Sequence, residues 1–274
     1  MTTCKEIYDY LNSFAPVETQ EGFDNAGFLF GDIHAEVRKV LLALDATSEV
    51  IAEAAEKKVQ MIVTHHPLIF GSFKNVLADD PTGKKLMELA KKNLCVISMH
   101  TNLDKADGGV NDVLIRLLSA DFSDLRGIQE PESEDDIDRR NLLRVPGNEI
   151  MRAAVLTEEC PLEVYLKYVK SRLNSNGLRY YDAGRPVHKI ACIGGAGGDG
   201  IRAAFDFGCD TYITADLKYS AFLEAKELGI NLIDADHFCT ENPIMYELKS
   251  LLGDRFPETD FIISEKHRQT AQFI

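Results

Sequence analysis

No stretch of the 274 residues approaches the roughly 20 apolar side chains that a membrane-spanning helix needs. The opening Met1-Thr2-Thr3-Cys4-Lys5-Glu6 lacks the basic start and apolar core of a signal peptide. It reads instead as a first helix capped by Thr2 or Thr3. The six cysteines (Cys4, Cys95, Cys160, Cys192, Cys209, Cys239) show no C-x-x-C spacing, which excludes the usual thiolate zinc sites and argues against a disulfide framework. Basic residues are scarce. Only 30 Lys and Arg oppose 44 Asp and Glu, and the net charge of −14 argues against nucleic acid as a partner, because phosphate binding depends on clustered cations. No G-x-x-x-x-G-K-[ST] run exists, so P-loop chemistry is excluded at the motif level. What remains is a cytoplasmic globule that contacts no membrane, with 45% hydrophobic and 27% charged residues. Such an acidic chain takes an anionic small substrate only if a bound cation supplies local positive charge.

The first half alternates strands with helices. Val40 to Asp45 is a continuous apolar run of the kind found in a sheet covered on both faces. A helix capped by Thr47 or Ser48 runs to Lys58, the strand Met61 to Thr64 follows, and a helix from about Gly83 to Lys92 leads to the strand Cys95 to His100. Another helix begins near Gly109. This βαβαβα order implies an α/β fold with a largely parallel sheet. The pattern lapses after about Phe122, where Glu130 to Asp136 form an acidic run. Alternation resumes at Met151 and continues to a final strand at Phe261 to Glu265. The expected division is residues 1–122 as a first α/β unit, 123–150 as an acidic connection and 151–274 as a second α/β unit.

Chemistry-bearing residues collect where these strands end. His65 and His66 follow the apolar run to Thr64, and paired imidazoles there are costly to bury unless something binds them. His100 and Asp104 occupy one loop, Asp45 ends another strand, and His237 and Glu241 are four apart, so a helical turn would put both on one face. Cys239 would then point away. Asp234 or Asp236 is placed to orient a ligating imidazole, as carboxylates behind metal sites commonly do. The inventory is three imidazoles (His65, His66, His237) and two carboxylates (Asp104, Glu241), with His100 and Asp45 in reserve. Five such ligands, one able to bridge, suit two divalent ions about 3.5–4 Å apart. An N and O donor set without thiolate fits Zn, Mn, Fe, Ni or Co alike.

Asp24-Asn25-Ala26-Gly27, Leu44-Asp45-Ala46-Thr47, Thr64-His65-His66-Pro67, His100-Thr101-Asn102-Leu103-Asp104, Gly108-Gly109-Val110-Asn111-Asp112, Gly194-Gly195-Ala196-Gly197-Gly198 and His237-Phe238-Cys239-Thr240-Glu241 occur in an order that covers nearly the whole chain. Together they resemble the Nif-three-like dinuclear metal-centre family, also labelled GTP cyclohydrolase I type 2 homologues, in its short form without an inserted domain. The resemblance implies two α/β/α units with the metal site at their junction. It implies that Glu241 bridges two ions, with His66 and Asp104 on one and His65 and His237 on the other, and that the chains form a homohexamer. One departure stands out. Many members carry a histidine after the stretch matching Thr214-Ala215-Asp216-Leu217-Lys218, where this chain has Tyr219 and Ser220.

The functional expectation is a metal-dependent hydrolase acting on a small heterocyclic or phosphorylated molecule, which under the cyclohydrolase label would be the guanine ring of GTP. The ions would lower the pKa of a bridging water to give a hydroxide nucleophile. His100 would shuttle a proton, and Gly194, Gly195, Gly197 and Gly198 would offer backbone donors to an anionic group. Two alternatives are open: a non-enzymatic metal-handling or scaffold protein, and a nicotinamide-dinucleotide binder. The last rests on Gly195-Ala196-Gly197-Gly198-Asp199-Gly200, which fits G-x-G-x-x-G between a strand and a helix, with Asp216 near the offset of a ribose-binding acid.

Overall fold

The computed structural model describes residues 1–72, 74–120 and 142–274. It divides into two units, Met1–Gly109 with Ile244–Arg268, and Val110–Pro243 with Gln269–Ile274. The acidic run Glu130 to Asp136 lies outside the described residues.

The first unit opens with helix α1 (Cys4–Phe14). Thr3 and Glu6 form a reciprocal capping box at its start, and Cys4, Ile7 and Leu11 make its buried stripe. Strands β1 (Gly27–Phe30) and β2 (Lys39–Ala43) follow, then α2 (Ser48–Glu56), β3 (Met61–Thr64), α3 (Pro81–Lys91), β4 (Cys95–Ser98) and the single turn α4 (Thr101–Lys105). Of the two candidate caps for α2, Thr47 is the one used, its side chain accepting from the Val50 amide. Leu41, Ile62 and Val96 project from the sheet onto Val50, Ile51 and Ala54 of α2 and Leu86 and Leu89 of α3. The alternate strand residues Val40, Leu42, Val63 and Ile97 are buried as well. A sheet apolar on both faces produces such continuous runs.

The second unit holds α5 (Val110–Ser119), β5 (Leu143–Val145), β6 (Asn148–Cys160), α6 (Leu162–Arg172), β7 (Arg179–Tyr181), β8 (Val187–Cys192), α7 (Ile201–Asp206), β9 (Thr211–Thr214), α8 (Tyr219–Leu228), β10 (Asn231–Asp234) and the single turn α9 (His237–Glu241). Its sheet runs β5-β6-β8-β9-β10-β7. Only β8, β9 and β10 are mutually parallel, and β5, β6 and β7 join antiparallel. The two faces are covered separately. Ile190, Cys192, Ile213 and Ile233 pack with α5 and α6, whereas Ala191, Tyr212 and Leu232 pack with α7 and α8. The period-two alternation of these side chains makes an α/β/α sandwich.

The observed units differ from the expected division: α5 belongs to the second unit, β5 and β6 begin within residues 123–150, and the C-terminal elements leave the second unit. The chain returns to the first unit through α10 (Ile244–Arg255) and β11 (Asp260–Ile263). β11 pairs in parallel with β2, Phe261 opposite Val40, giving the order β1-β4-β3-β2-β11 with only β1 antiparallel. Consecutive elements usually neighbour one another, and nothing local in Phe261-Ile262-Ile263 marks the long return. Further contacts fix it. Glu53 of α2 is fully buried and accepts from Ser264 Oγ at 2.5 Å, Glu265 N at 3.0 Å and Lys266 N at 3.3 Å, and it pairs with Lys57 at 2.8 Å.

Burial opposes the charge on Glu53, but the bonds from Lys57, Ser264 and the two amides outweigh it and hold its carboxyl at about 2. Because the folded value is depressed, the stabilisation is complete above the unfolded value near 4.5 and is lost as pH falls from there through 2. Glu53→Gln is expected to lower stability by about 3 kcal/mol at pH 7. Urea unfolding at pH 7, 5 and 3 checks it: the gap between wild type and variant narrows as the pH drops, and a gap constant with pH would contradict the assignment.

Among the described residues, no helix is long and apolar enough to cross a membrane. The six cysteines are free thiols, five of them buried.

Candidate metal centre

Strand register explains why residues so far apart in sequence gather. In the first sheet Ala43 pairs with Thr64 and Thr64 with Ser98. Two residues beyond that row, at the carboxyl ends where open α/β sheets place their functional groups, stand Asp45, His66 and His100. His65 lies one step earlier and is fully buried. The imidazoles of His65, His66 and His100 have ring centroids 5.0–5.6 Å apart, and one ring nitrogen from each lies within 4.8 Å of the others. Asp104 joins this group because residues 101–105 coil into α4, with the Asp104 amide donating to the His100 carbonyl at 3.1 Å. Its carboxylate lies 3.7 Å from His65 Nε2.

The second sheet repeats the construction. Thr214 pairs with Asp234, and the β8–β9 register carries the same row to Ile193. Two residues further on, Gly195, Asp216 and Asp236 are level. Asp236 caps α9, accepting from the Cys239 amide. The turn it starts puts His237 and Glu241 on one face, with Nε2 to Oε2 at 3.1 Å. Cys239 turns into the core beside Ile233 and Ala235. Burial first, then the charge of Asp236, pushes its thiol up to about 12.

Each imidazole is oriented from behind. The Nδ1 of His65 is 2.7 Å from the Met99 carbonyl, which can only accept, so Nδ1 carries the proton and Nε2 faces Asp104. His66 Nδ1 meets Asp45 at 2.9 Å, His100 Nδ1 meets Asp24 at 2.7 Å and His237 Nδ1 meets Asp216 at 2.8 Å. Burial opposes the charge on Asp45, yet hydrogen bonds from His267 and His66 keep its carboxyl well below the usual range. At Asp24, burial is likewise outweighed by His100 and Thr101.

Neither acid expected to orient a ligating imidazole, Asp234 or Asp236, holds His237. Asp234 is taken by Arg179 and the Leu217 amide, and Asp236 is the helix cap. Asp216 orients the ring instead. Its signal in the sequence is its place two residues past a strand parallel to the one that delivers His237. Asp24 and His267 were also missed as partners, since neither lies near its imidazole or carboxylate in sequence.

The glycine turn has a task other than the anion cradle expected of it. The amides of Gly194, Gly195 and Gly197 donate to Asn111 Oδ1, Thr240 Oγ1 and Thr214 Oγ1 at 2.8–3.0 Å. Gly198 enters a short 3-10 turn. Three amides of the turn are thus engaged inside the fold, and Asp216 is on His237. What the turn provides is clearance. A Cβ on Gly195, at φ +63°, would lie 2.1 Å from Glu241 Oε1 and 2.9 Å from His237 Nε2. Gly195→Ala is expected to displace both side chains and cut metal affinity at least tenfold while the far-ultraviolet circular dichroism stays that of the wild type; unchanged affinity by metal-titration calorimetry would contradict it.

The donor set fits divalent ions. In both His65–Asp104 and His237–Glu241 an imidazole Nε2 stands opposite a carboxylate oxygen, and a divalent ion can bind both atoms. Two ligands bound at about 2.0–2.2 Å to a tetrahedral ion stand roughly 3.4 Å apart, and the observed separations of 3.7 and 3.1 Å bracket this figure.

The family model described as Duf34/NIF3 (NGG1p interacting factor 3) matches residues 2–270. A Clostridium perfringens protein named GTP cyclohydrolase 1 type 2 homolog is 34% identical over 271 residues, 98% of either chain. A protein of the same name from Clostridium acetobutylicum is 35% identical over 274 residues, again 98% of either chain. The crystal structure of a Staphylococcus aureus protein aligns with a TM-score of 0.85 at 26% identity, covering 100% of this chain and 99% of that one.

Proposed function

The chain belongs to the Duf34/NIF3 family, and on that premise we propose that it is a dinuclear divalent-metal protein acting as a hydrolase on a small heterocyclic or phosphorylated substrate. The observation that carries this reading is the pair of facing imidazole–carboxylate couples, each with its imidazole held from behind. His65, His66, Asp104, His237 and Glu241 would hold two ions. Bound there, the ions would supply Lewis acidity and a water of lowered pKa.

The chain's own residues do the rest. Met99, Asp45 and Asp216 fix which ring nitrogen faces forward, and such partners are typically worth 10–100-fold in metal affinity. His100, with Nδ1 on Asp24, has its other nitrogen placed to hold or release a proton. Gly195 keeps Glu241 and His237 clear of the backbone. The name of the relatives favours a nucleotide ring as the group attacked, and a six-chain assembly belongs to the same proposal.

The test is turnover by a metal-replete preparation across nucleotides, phosphoesters and amides, with His100→Ala alongside. Hydrolysis that needs the metal and falls in the variant supports the reading. A fully loaded protein inert toward every class, releasing its ions quickly to a weak chelator, would show a metal-handling protein instead.

A further inference from the structure

Phe23 and Phe70 are 66% and 63% exposed, though the first unit has ample core to bury them. They lie on separate loops, yet their ring centroids are 6.4 Å apart with planes inclined at 58°. Phe70 also meets His100 edge-on, at 6.4 Å and 84°. The two phenyl rings thus continue the row of imidazoles formed by His65, His66 and His100.

The loops that carry them are braced. Asn25 Nδ2 donates to the Ile69 carbonyl at 2.8 Å, tying the residues beside one ring to those beside the other. Asp24 accepts from His100 Nδ1 at 2.7 Å and from the Thr101 amide at 3.0 Å, and its own amide donates to Glu21 O at 2.9 Å. Ala26 N donates to Gln20 Oε1 at 2.8 Å. Exposed apolar residues scattered singly need no explanation. Two fixed rings held against a histidine cluster are a different case, because apolar faces beside a few convergent polar groups are how small-ligand sites are built.

We propose that Phe23 and Phe70 form a stacking rim that binds the planar heteroaromatic ring of the substrate beside His100. This rests on the histidine cluster being the reaction site, and it narrows the substrate from a heterocyclic or phosphorylated molecule to one carrying a flat π-system. Phenyl faces stack on such rings with little preference among them, so the rim selects for a ring and leaves its identity to polar contacts.

The chain contains no tryptophan, so Phe23→Trp and Phe70→Trp each install a single fluorescent reporter. Guanosine, adenosine and cytidine 5′-monophosphates are titrated against ribose 5-phosphate, which keeps the sugar and phosphate but lacks the ring. Quenching by at least one nucleotide and none by ribose 5-phosphate is expected. In calorimetry, Phe23→Ala and Phe70→Ala are each expected to weaken that nucleotide about tenfold, with ribose 5-phosphate affinity and metal content unchanged. Absence of quenching by all three nucleotides overturns the proposal, as does nucleotide binding that the alanine variants leave intact. Alanine variants that change only the mass seen by light scattering would assign the rings to contact between copies of the chain, and also overturn it. Ring-dependent binding to a protein that takes up no metal would keep the rim and reject the dinuclear reading.

Discussion

Glu241→Gln is expected to reduce bound metal from about two ions per chain to well under one, the largest functional effect of any single change. The carboxylate is buried, its Oε2 is 3.1 Å from His237 Nε2, and the family resemblance gives it the bridging position. Glutamine keeps the volume and can donate a hydrogen bond to the same imidazole, so the fold is preserved while the charge that the proposed centre would use is removed. If Glu241 served only to hold His237 in place, glutamine would do as well and metal content would not change. Equilibrium dialysis with plasma mass spectrometry on both proteins separates the two outcomes, and circular dichroism confirms equal folding.

Asp112→Ala is expected to be the most destabilising single substitution in the second unit, by about 3–5 kcal/mol. Arg152 on β6 is 1% exposed, so its guanidinium is charged inside the protein. It donates from Nε to the Asp112 carboxylate and from Nη1 to the carbonyls of Glu149 and Ile150 at 2.8 and 3.0 Å. Removing the carboxylate takes a charge-assisted bond away from a buried cation, whereas alanine at an exposed pair such as Lys5–Asp9 costs about 1 kcal/mol or less. Guanidinium unfolding of Asp112→Ala beside Asp9→Ala measures the contrast, and similar losses in the two variants would show that burial does not set the value of the Arg152 pair.

The sequence made the strand ends readable and left the register hidden. Continuous apolar runs such as Val40 to Leu44 and Met61 to Val63 announce strands covered on both faces, and the abrupt change to Asp45, His65 and His66 marks where the chain leaves the sheet. His100 was legible for the same reason. Asp104 and Glu241 were legible through spacing, which the single turns α4 and α9 convert into proximity. The partner of His237 was another matter. Asp234, Asp236 and Asp216 are all acids near strand ends, and only the pairing of Thr214 with Asp234, together with the capture of Asp234 by Arg179, singles out Asp216. The return of β11 to β2 was hidden because its pairing is set by Glu53, over two hundred residues earlier. The glycine turn was open to more than one reading because G-x-G-x-x-G records a tight backbone path and not its purpose. Here the path clears Glu241.

The most direct test of the account is the metal content of untagged wild-type protein after reconstitution and exhaustive dialysis. The account predicts about two divalent ions per chain. One ion would contradict the dinuclear reading, and none would contradict the metal centre itself.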